Sequence, residues 1–120
     1  MAAATRTKEL ITKKFPQSPV SEAFRSIRTN LSFLSPDQPL QSILITSGEV
    51  GDGKSITLCN LAISIAQNEK EVIIIDADIR RPMLQRFFTV TNEVGLSNIL
   101  TGKIDFKEAI RKTNIKNLSI

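Results

Sequence analysis

Apolar positions first recur with a helical period between Ser18 and Ser35, where Phe24, Ile27, Leu31 and Leu34 fall three or four residues apart. Ser18 can cap this run, Pro19 suits its first turn and Ser35-Pro36 stops it, which predicts a helix with one apolar stripe toward a core. After the loop from Pro36 to Pro39 the pattern changes. Ser42-Ile43-Leu44-Ile45-Thr46-Ser47 is a short continuous apolar run that ends at glycine, as in a strand buried on both faces. From Ser55 to Gln67, Leu58, Leu61, Ala62, Ile65 and Ala66 share a face, with Cys59 and Ile63 beside it, and so wide an apolar surface predicts a buried helix. Val72-Ile73-Ile74-Ile75 reads as a second fully buried strand. Strand, helix and strand at this spacing predict a right-handed βαβ unit with a parallel sheet.

The flanks are less regular. Residues 1–17 are polar and lysine-dotted without a repeated apolar period, so they are expected to form a flexible N-terminal arm ahead of a domain covering 18–120. Beyond Pro82 the pattern predicts short helices over Met83 to Phe88, Leu96 to Leu100 and Phe106 to Lys112, and Leu118-Ser119-Ile120 starts another strand. A parallel sheet of so few strands reads as the N-terminal part of a larger α/β domain, truncated here.

With 120 residues, 41% hydrophobic and 23% charged, the chain falls in the ordinary globular class, with room for one domain. No run approaches the roughly 18 apolar residues of a membrane-spanning helix, and no signal-peptide core opens the chain, so a cytoplasmic protein is expected. The net charge of +4 is scattered, and tryptophan and tyrosine are missing, which argues against a nucleic-acid partner. Histidine is absent and the one cysteine, Cys59, sits among apolar neighbours as a small core residue, so chemistry must run on carboxylates, lysine and backbone amides.

Gly48-Glu49-Val50-Gly51-Asp52-Gly53-Lys54-Ser55 matches G-x-x-x-x-G-K-[ST] between a predicted strand and a predicted helix, the context that the phosphate-binding loop requires. Its glycines let backbone N–H groups turn around the phosphates of ATP. Lys54 can reach the β and γ phosphates, the Ser55 hydroxyl can ligate Mg²⁺ at the helix N-terminus, and Ile56 completes the nucleotide-binding stretch. Further on, Ile75-Asp76-Ala77-Asp78-Ile79-Arg80 puts two carboxylates just past the C-terminal end of the second strand, the edge where open α/β sheets bind ligands. Asp76 and Asp78 can there hold a metal-bound water or orient an incoming hydroxyl.

The apolar run ending in D-x-D-x-R at Ile73 to Arg80, together with the phosphate loop and the E-x-x-R-x-x-R pattern of Glu22, Arg25 and Arg28, resembles the bacterial tyrosine kinases of capsule and exopolysaccharide synthesis. The resemblance continues through Val94-Gly95-Leu96-Ser97 and covers about residues 18–120. It implies a P-loop NTPase-like three-layer α/β fold and phosphoryl transfer from ATP to tyrosine hydroxyls. Lys54 would stabilise the transferring phosphate, Ser55 would hold Mg²⁺, Asp76 would orient or deprotonate the hydroxyl and Asp78 would support the metal. It also implies a homo-oligomer through the Glu22/Arg25/Arg28 helix, whose charges should face outward. A membrane activator protein of the export system would recruit the chain to the inner face of the membrane, and tyrosine-containing proteins would be substrates.

Two features depart from that family: no third apolar strand ending in aspartate follows before Ile120, and no tyrosine is available as an acceptor. The strands at Ile43 to Ile45 and Val72 to Ile75 would then lack a neighbour. Two alternatives remain, an ATP-binding assembly module without kinase activity and a partitioning-type ATPase. The second usually carries a lysine five residues before the loop lysine, where this chain has Glu49.

Overall fold

The computed structural model describes residues 10–120. Eight elements follow one another: α1 (Ile11–Lys14), α2 (Pro19–Phe33), α3 (Lys54–Ala66), β1 (Val72–Ile73), α4 (Leu84–Phe88), α5 (Leu96–Leu100), α6 (Phe106–Ala109) and β2 (Leu118–Ser119). Helix α3 is the hub, and α1, α2, α4 and both strands pack on it.

One side of α3 is apolar. Cys59, Ala62, Ile63 and Ala66 join Ile74, Leu84, Phe88, Leu118 and Leu10 in a single buried cluster. Residues 72–74 lie along this side in parallel register with β2, pairing Val72 with Leu118 and Ile73 with Ser119. The bonds from the Val72 N–H to the Asn117 carbonyl (2.8 Å) and from the Ile74 N–H to the Ser119 carbonyl (2.9 Å) hold the register. On its outer edge β2 meets Lys112 in an antiparallel bridge, so the chain from Arg111 to Ile120 folds back on itself before joining β1.

The other side of α3 is polar. Asn60 and Ser64, one turn apart, are both about 1% exposed. The Asn60 side-chain oxygen accepts from the Thr12 N–H (3.0 Å) and the Thr12 hydroxyl (2.7 Å), while its amide donates to the Ile56 carbonyl (2.9 Å). Thr12 is itself buried, which fixes α1 against α3. Residues 10–17 are therefore not the flexible arm expected from the sequence, because a buried hydrogen-bonded pair, with Leu10 in the core, ties them down. The rest of that arm, residues 1–9, lies outside the described residues.

Helix α2 begins as expected, with the Ser18 hydroxyl oxygen accepting from the Ser21 N–H (3.1 Å) and Pro19 in the first turn. Its orientation departs from the expectation in part: Phe24 and Leu31 are half-buried and Glu22 is exposed as expected, but the other positions are not. Arg28 is turned inward and donates to the Ser64 carbonyl at 2.7 Å, whereas Ile27 is 43% and Leu34 73% exposed. Ser64 lies in the last turn of α3, where a carbonyl is better met by a guanidinium than by a methyl group. Arg25 is half-buried, bonded to Glu22 (2.8 Å) and to the Pro16 carbonyl (2.7 Å).

Ser42 to Ser47 differs as well. Among the described residues no ladder forms along it and Leu44 is 89% exposed, so the predicted strand and the parallel βαβ unit built on it are not formed there. Of Val72 to Ile75 only residues 72–74 bond to the chain at β2, with Ile74 buried and Ile73 and Ile75 exposed. A strand buried on both faces needs a sheet neighbour and a covering layer on each side, and the described residues supply only β2 and α3. The short helices fall close to their expected places, though α6 ends at Ala109 and Arg111 to Thr113 turn into the bridge with β2.

Replacing Asn60 by alanine would leave the N–H and the hydroxyl of buried Thr12 without an acceptor, a loss of about 1–3 kcal/mol. Ser64→Ala keeps the backbone carbonyl that Arg28 uses and should change stability by less than about 0.5 kcal/mol. Urea denaturation of the two variants should separate them in that order, and equal midpoints would remove Asn60 as the anchor of α1.

Candidate nucleotide-binding site

The segment from Gly48 to Ser55 leaves the extended chain and enters α3 through two left-handed glycines, Gly51 at φ +91° and Gly53 at φ +86°. A Cβ at either would meet nothing within 4 Å, so conformation and not space calls for glycine there. The loop is braced from inside. The Asp52 carboxylate accepts from the Glu49 N–H (2.9 Å) and the Ser47 hydroxyl donates to the Glu49 carbonyl (3.1 Å). The Glu49 N–H is thereby used within the loop, and Val50 stands 97% exposed.

Gly53 is the N-cap of α3 and offers no side-chain acceptor to the N–H groups of the first turn. The Lys54 ammonium, at the same end, has no hydrogen-bond or ion-pair partner among the described residues. An uncapped helix N-terminus with an unpaired lysine beside it is an anion site in both charge and hydrogen-bond direction. These residues fit a nucleotide phosphate chain, with the half-buried Ser55 hydroxyl on the first turn available to Mg²⁺.

The two aspartates follow the exposed Ile75. Asp76 is half-buried, and its carboxylate accepts three backbone N–H bonds: from Asp78 at 3.1 Å, from Met83 at 2.9 Å and from Leu84 at 3.1 Å. Asp78 is exposed and accepts one, from the Arg81 N–H at 3.0 Å. Asp76 also lies near α3, since its charge acts on the thiol of Cys59. Burial, with a smaller push from that carboxylate, raises Cys59 from 9.0 to about 12. Ser55 is one turn before Cys59 on the same helix face. Among the described residues no three His, Cys, Asp or Glu side chains converge as a metal site, so Mg²⁺ would draw the rest of its oxygen shell from phosphates and water.

The sequence reading missed the capping role of Asp76. A carboxylate that serves N–H groups seven and eight residues ahead has no local spacing signature, unlike a helix N-cap.

Fold and loop together define a P-loop nucleotide-binding domain. The family model described as ParA, NUBPL iron-transfer P-loop NTPase, matches residues 39–120. The Bacillus subtilis tyrosine-protein kinase YwqD is 43% identical over 105 residues, 88% of this chain and 44% of YwqD. Among solved structures, the chimerical protein CapA2B2 superposes with a TM-score of 0.85 at 41% identity, over 92% of this chain and 48% of that one. The BceF tyrosine kinase domain gives 0.82 at 35%, over 96% and 46%. The chain belongs to the ParA-type P-loop NTPases and, within them, to the bacterial tyrosine kinase family. It spans about half the length of these relatives.

Because the folded Cys59 thiol stays protonated up to about 12 while the unfolded one ionises from about 9, folding stability should fall as pH rises through that window. Urea titrations at pH 8 and 10.5 should show the decline in the wild type and a smaller one in Cys59→Ala. Parallel slopes would detach it from Cys59.

Proposed function

We propose that residues 48–56 bind ATP with Mg²⁺ and that the chain forms the N-terminal part of a protein-tyrosine kinase domain serving capsule or exopolysaccharide synthesis. The observation that carries the reading is the open N-terminus of α3, with Gly53 left-handed and Lys54 unpaired among the described residues. Backbone N–H groups of the loop and the first turn of α3 hold the phosphates, and Lys54 follows the γ-phosphoryl group as its charge shifts toward the acceptor. Bound Mg²⁺ would neutralise charge between the phosphates. Asp76 and Asp78 support the metal and orient or deprotonate a tyrosine hydroxyl. Since phosphoryl transfer asks chiefly for positioning and electrostatics, a site without histidine meets its needs.

Iron transfer, which the family model's description names, finds no donor set here: the chain has one cysteine, buried, and no histidine. An ATP-binding assembly module without kinase activity remains a second reading, favoured by the bare run from Ser42 to Ser47. Self-association through α2 belongs to this proposal in altered form. Glu22 and Arg25 lie on the accessible side, Arg28 is committed to α3, and a membrane activator protein would bring the assembly to the inner face of the membrane. No helix among the described residues is long and apolar enough to cross a membrane.

Lys54→Met should weaken Mg²⁺–ADP binding by at least about tenfold in calorimetric titration. Equal binding by both forms would end the nucleotide reading. With labelled ATP and a tyrosine-rich peptide, the 120-residue chain should transfer far less phosphate than full-length YwqD. Comparable transfer, abolished by Lys54→Met, would show that the chain is a complete kinase. In a full-length relative, alanine at the position of Arg25 should shift sedimentation toward monomer, while alanine at that of Arg28 should chiefly lower stability.

A further inference from the structure

Of the aspartates and asparagines in the chain, Asp52 alone is followed by glycine. An aspartate carboxyl lies one ring closure away from the backbone nitrogen of the next residue, and the side chain of that residue ordinarily hinders the approach. Gly53 has no side chain, and a Cβ built there would meet nothing within 4 Å, so the surroundings are open as well. Three further features leave the pair ready to react. Asp52 is exposed, and among the described residues only its Oδ2 is engaged, by the Glu49 N–H at 2.9 Å. The Gly53 N–H has no acceptor among the described residues. Gly53 is also the N-cap of α3, where the aligned peptide dipoles place positive potential on this nitrogen and favour loss of its proton. Other aspartates are placed differently. Asp76 is held by three backbone N–H bonds, and Asp78 precedes the β-branched Ile79.

We propose that Asp52–Gly53 is a modification site, at which the unliganded phosphate loop converts slowly and without an enzyme from an aspartyl to an isoaspartyl link. The Gly53 nitrogen attacks Cγ of the protonated Asp52 carboxyl. The N–Cγ bond forms, the Cγ–OH bond breaks, and the amide proton and the hydroxyl leave as water, giving a five-membered succinimide. Water then adds back to one of the two ring carbonyls. Opening at Cγ restores aspartate, whereas opening at the former backbone carbonyl sends the main chain through Cβ and Cγ. Water is the one co-reactant, and the net mass is unchanged. The isoaspartyl route lengthens the backbone by one bond, about 1.5 Å, between the two left-handed glycines Gly51 and Gly53. Such an insertion shifts the N–H groups of the loop relative to Lys54, so the modified loop no longer matches a phosphate chain. The protective half of the proposal rests on the nucleotide site described above: a phosphate held in the loop takes up the Gly53 N–H, so bound nucleotide suppresses the reaction.

Incubating the 120-residue chain for several weeks in mildly acidic buffer made with oxygen-18 water tests this. Mass spectrometry of the tryptic peptide from Thr29 to Lys54 should show heavy oxygen and isoaspartate-specific fragments at Asp52, with neither at Asp76 or Asp78 in the peptide from Glu71 to Arg80. The folded chain should react within about tenfold of the rate of the urea-unfolded chain, as expected for a loop that opens at little cost. Asp52→Glu should form no isomer, because its longer side chain must close a slower six-membered ring. Saturating Mg²⁺–ADP should slow the wild-type reaction by about tenfold or more. The isomerised fraction, separated by chromatography, should lose most of its ADP affinity in titration.

No heavy oxygen at Asp52 of the folded chain, whatever the unfolded chain shows, would overturn the proposal. Equal uptake at Asp52, Asp76 and Asp78 would overturn it too, since the glycine and the open helix end would then confer nothing. ADP that binds without slowing the reaction would remove the protective half. If the wild-type chain binds no ADP, the phosphate-site reading fails, and accumulation at Asp52 in the free chain still decides whether the bond is a modification site.

Discussion

A single helix has to be buried along its body and left open at one end, and most of the structure follows from how α3 meets both demands. Its C-terminal carbonyls are well served: Arg28 reaches Ser64 at 2.7 Å and the Asn117 amide reaches Ala66 at 3.3 Å. Its N-terminus is left uncapped by Gly53. Serine or aspartate at the N-cap would use the N–H groups that an anion needs, and its acceptor is worth only about a few tenths of a kcal/mol over glycine. Stability withheld at that end comes from the flanks, the apolar cluster on one side and the Thr12–Asn60 pair on the other.

How far the sequence conveys this depends on whether a feature is local. The loop and both ends of α2 and α3 were legible because glycine, proline, serine caps and apolar period act within a few residues. The side of α2 that meets α3 was legible only in part. Phe24, Ile27, Leu31 and Leu34 do form a stripe, yet periodicity says only that such a stripe exists, and the Ser64 carbonyl draws in Arg28 while Ile27 and Leu34 stay exposed. The docking of α1 depends on Thr12 finding Asn60, 48 residues away, a pairing that no window along the chain contains. The same holds for Asp76. Its three backbone partners arise from the return of the chain at Met83.

The exposed isoleucines tell a related story. Ile73 and Ile75 face outward while Ile74 is buried between them, although all three are written in a pattern suited to a strand with both faces covered. Leu44, in the run before the phosphate loop, is in the same condition. The patterning is that of a larger sheet, in keeping with relatives that are about twice as long and superpose closely on nearly all of this chain.

That condition bears on the site itself. Among the described residues, the phosphate loop is held at its far end by α3 but at its near end by only two bonds, from the Ser47 hydroxyl and to the Asp52 carboxylate, because Ser42 to Ser47 joins no ladder there. An anion nest binds in proportion to the fraction of molecules in which its N–H groups already converge, so a loosely tethered entrance lowers apparent affinity without altering any contact to the ligand. A neighbouring strand beside Ile43 to Ile45 would raise that fraction by fixing the backbone ahead of Gly48, just as the bonds from Asp76 fix the backbone ahead of α4. Sheet formation and nucleotide affinity are then two readings of one equilibrium, coupled through the six residues before the loop.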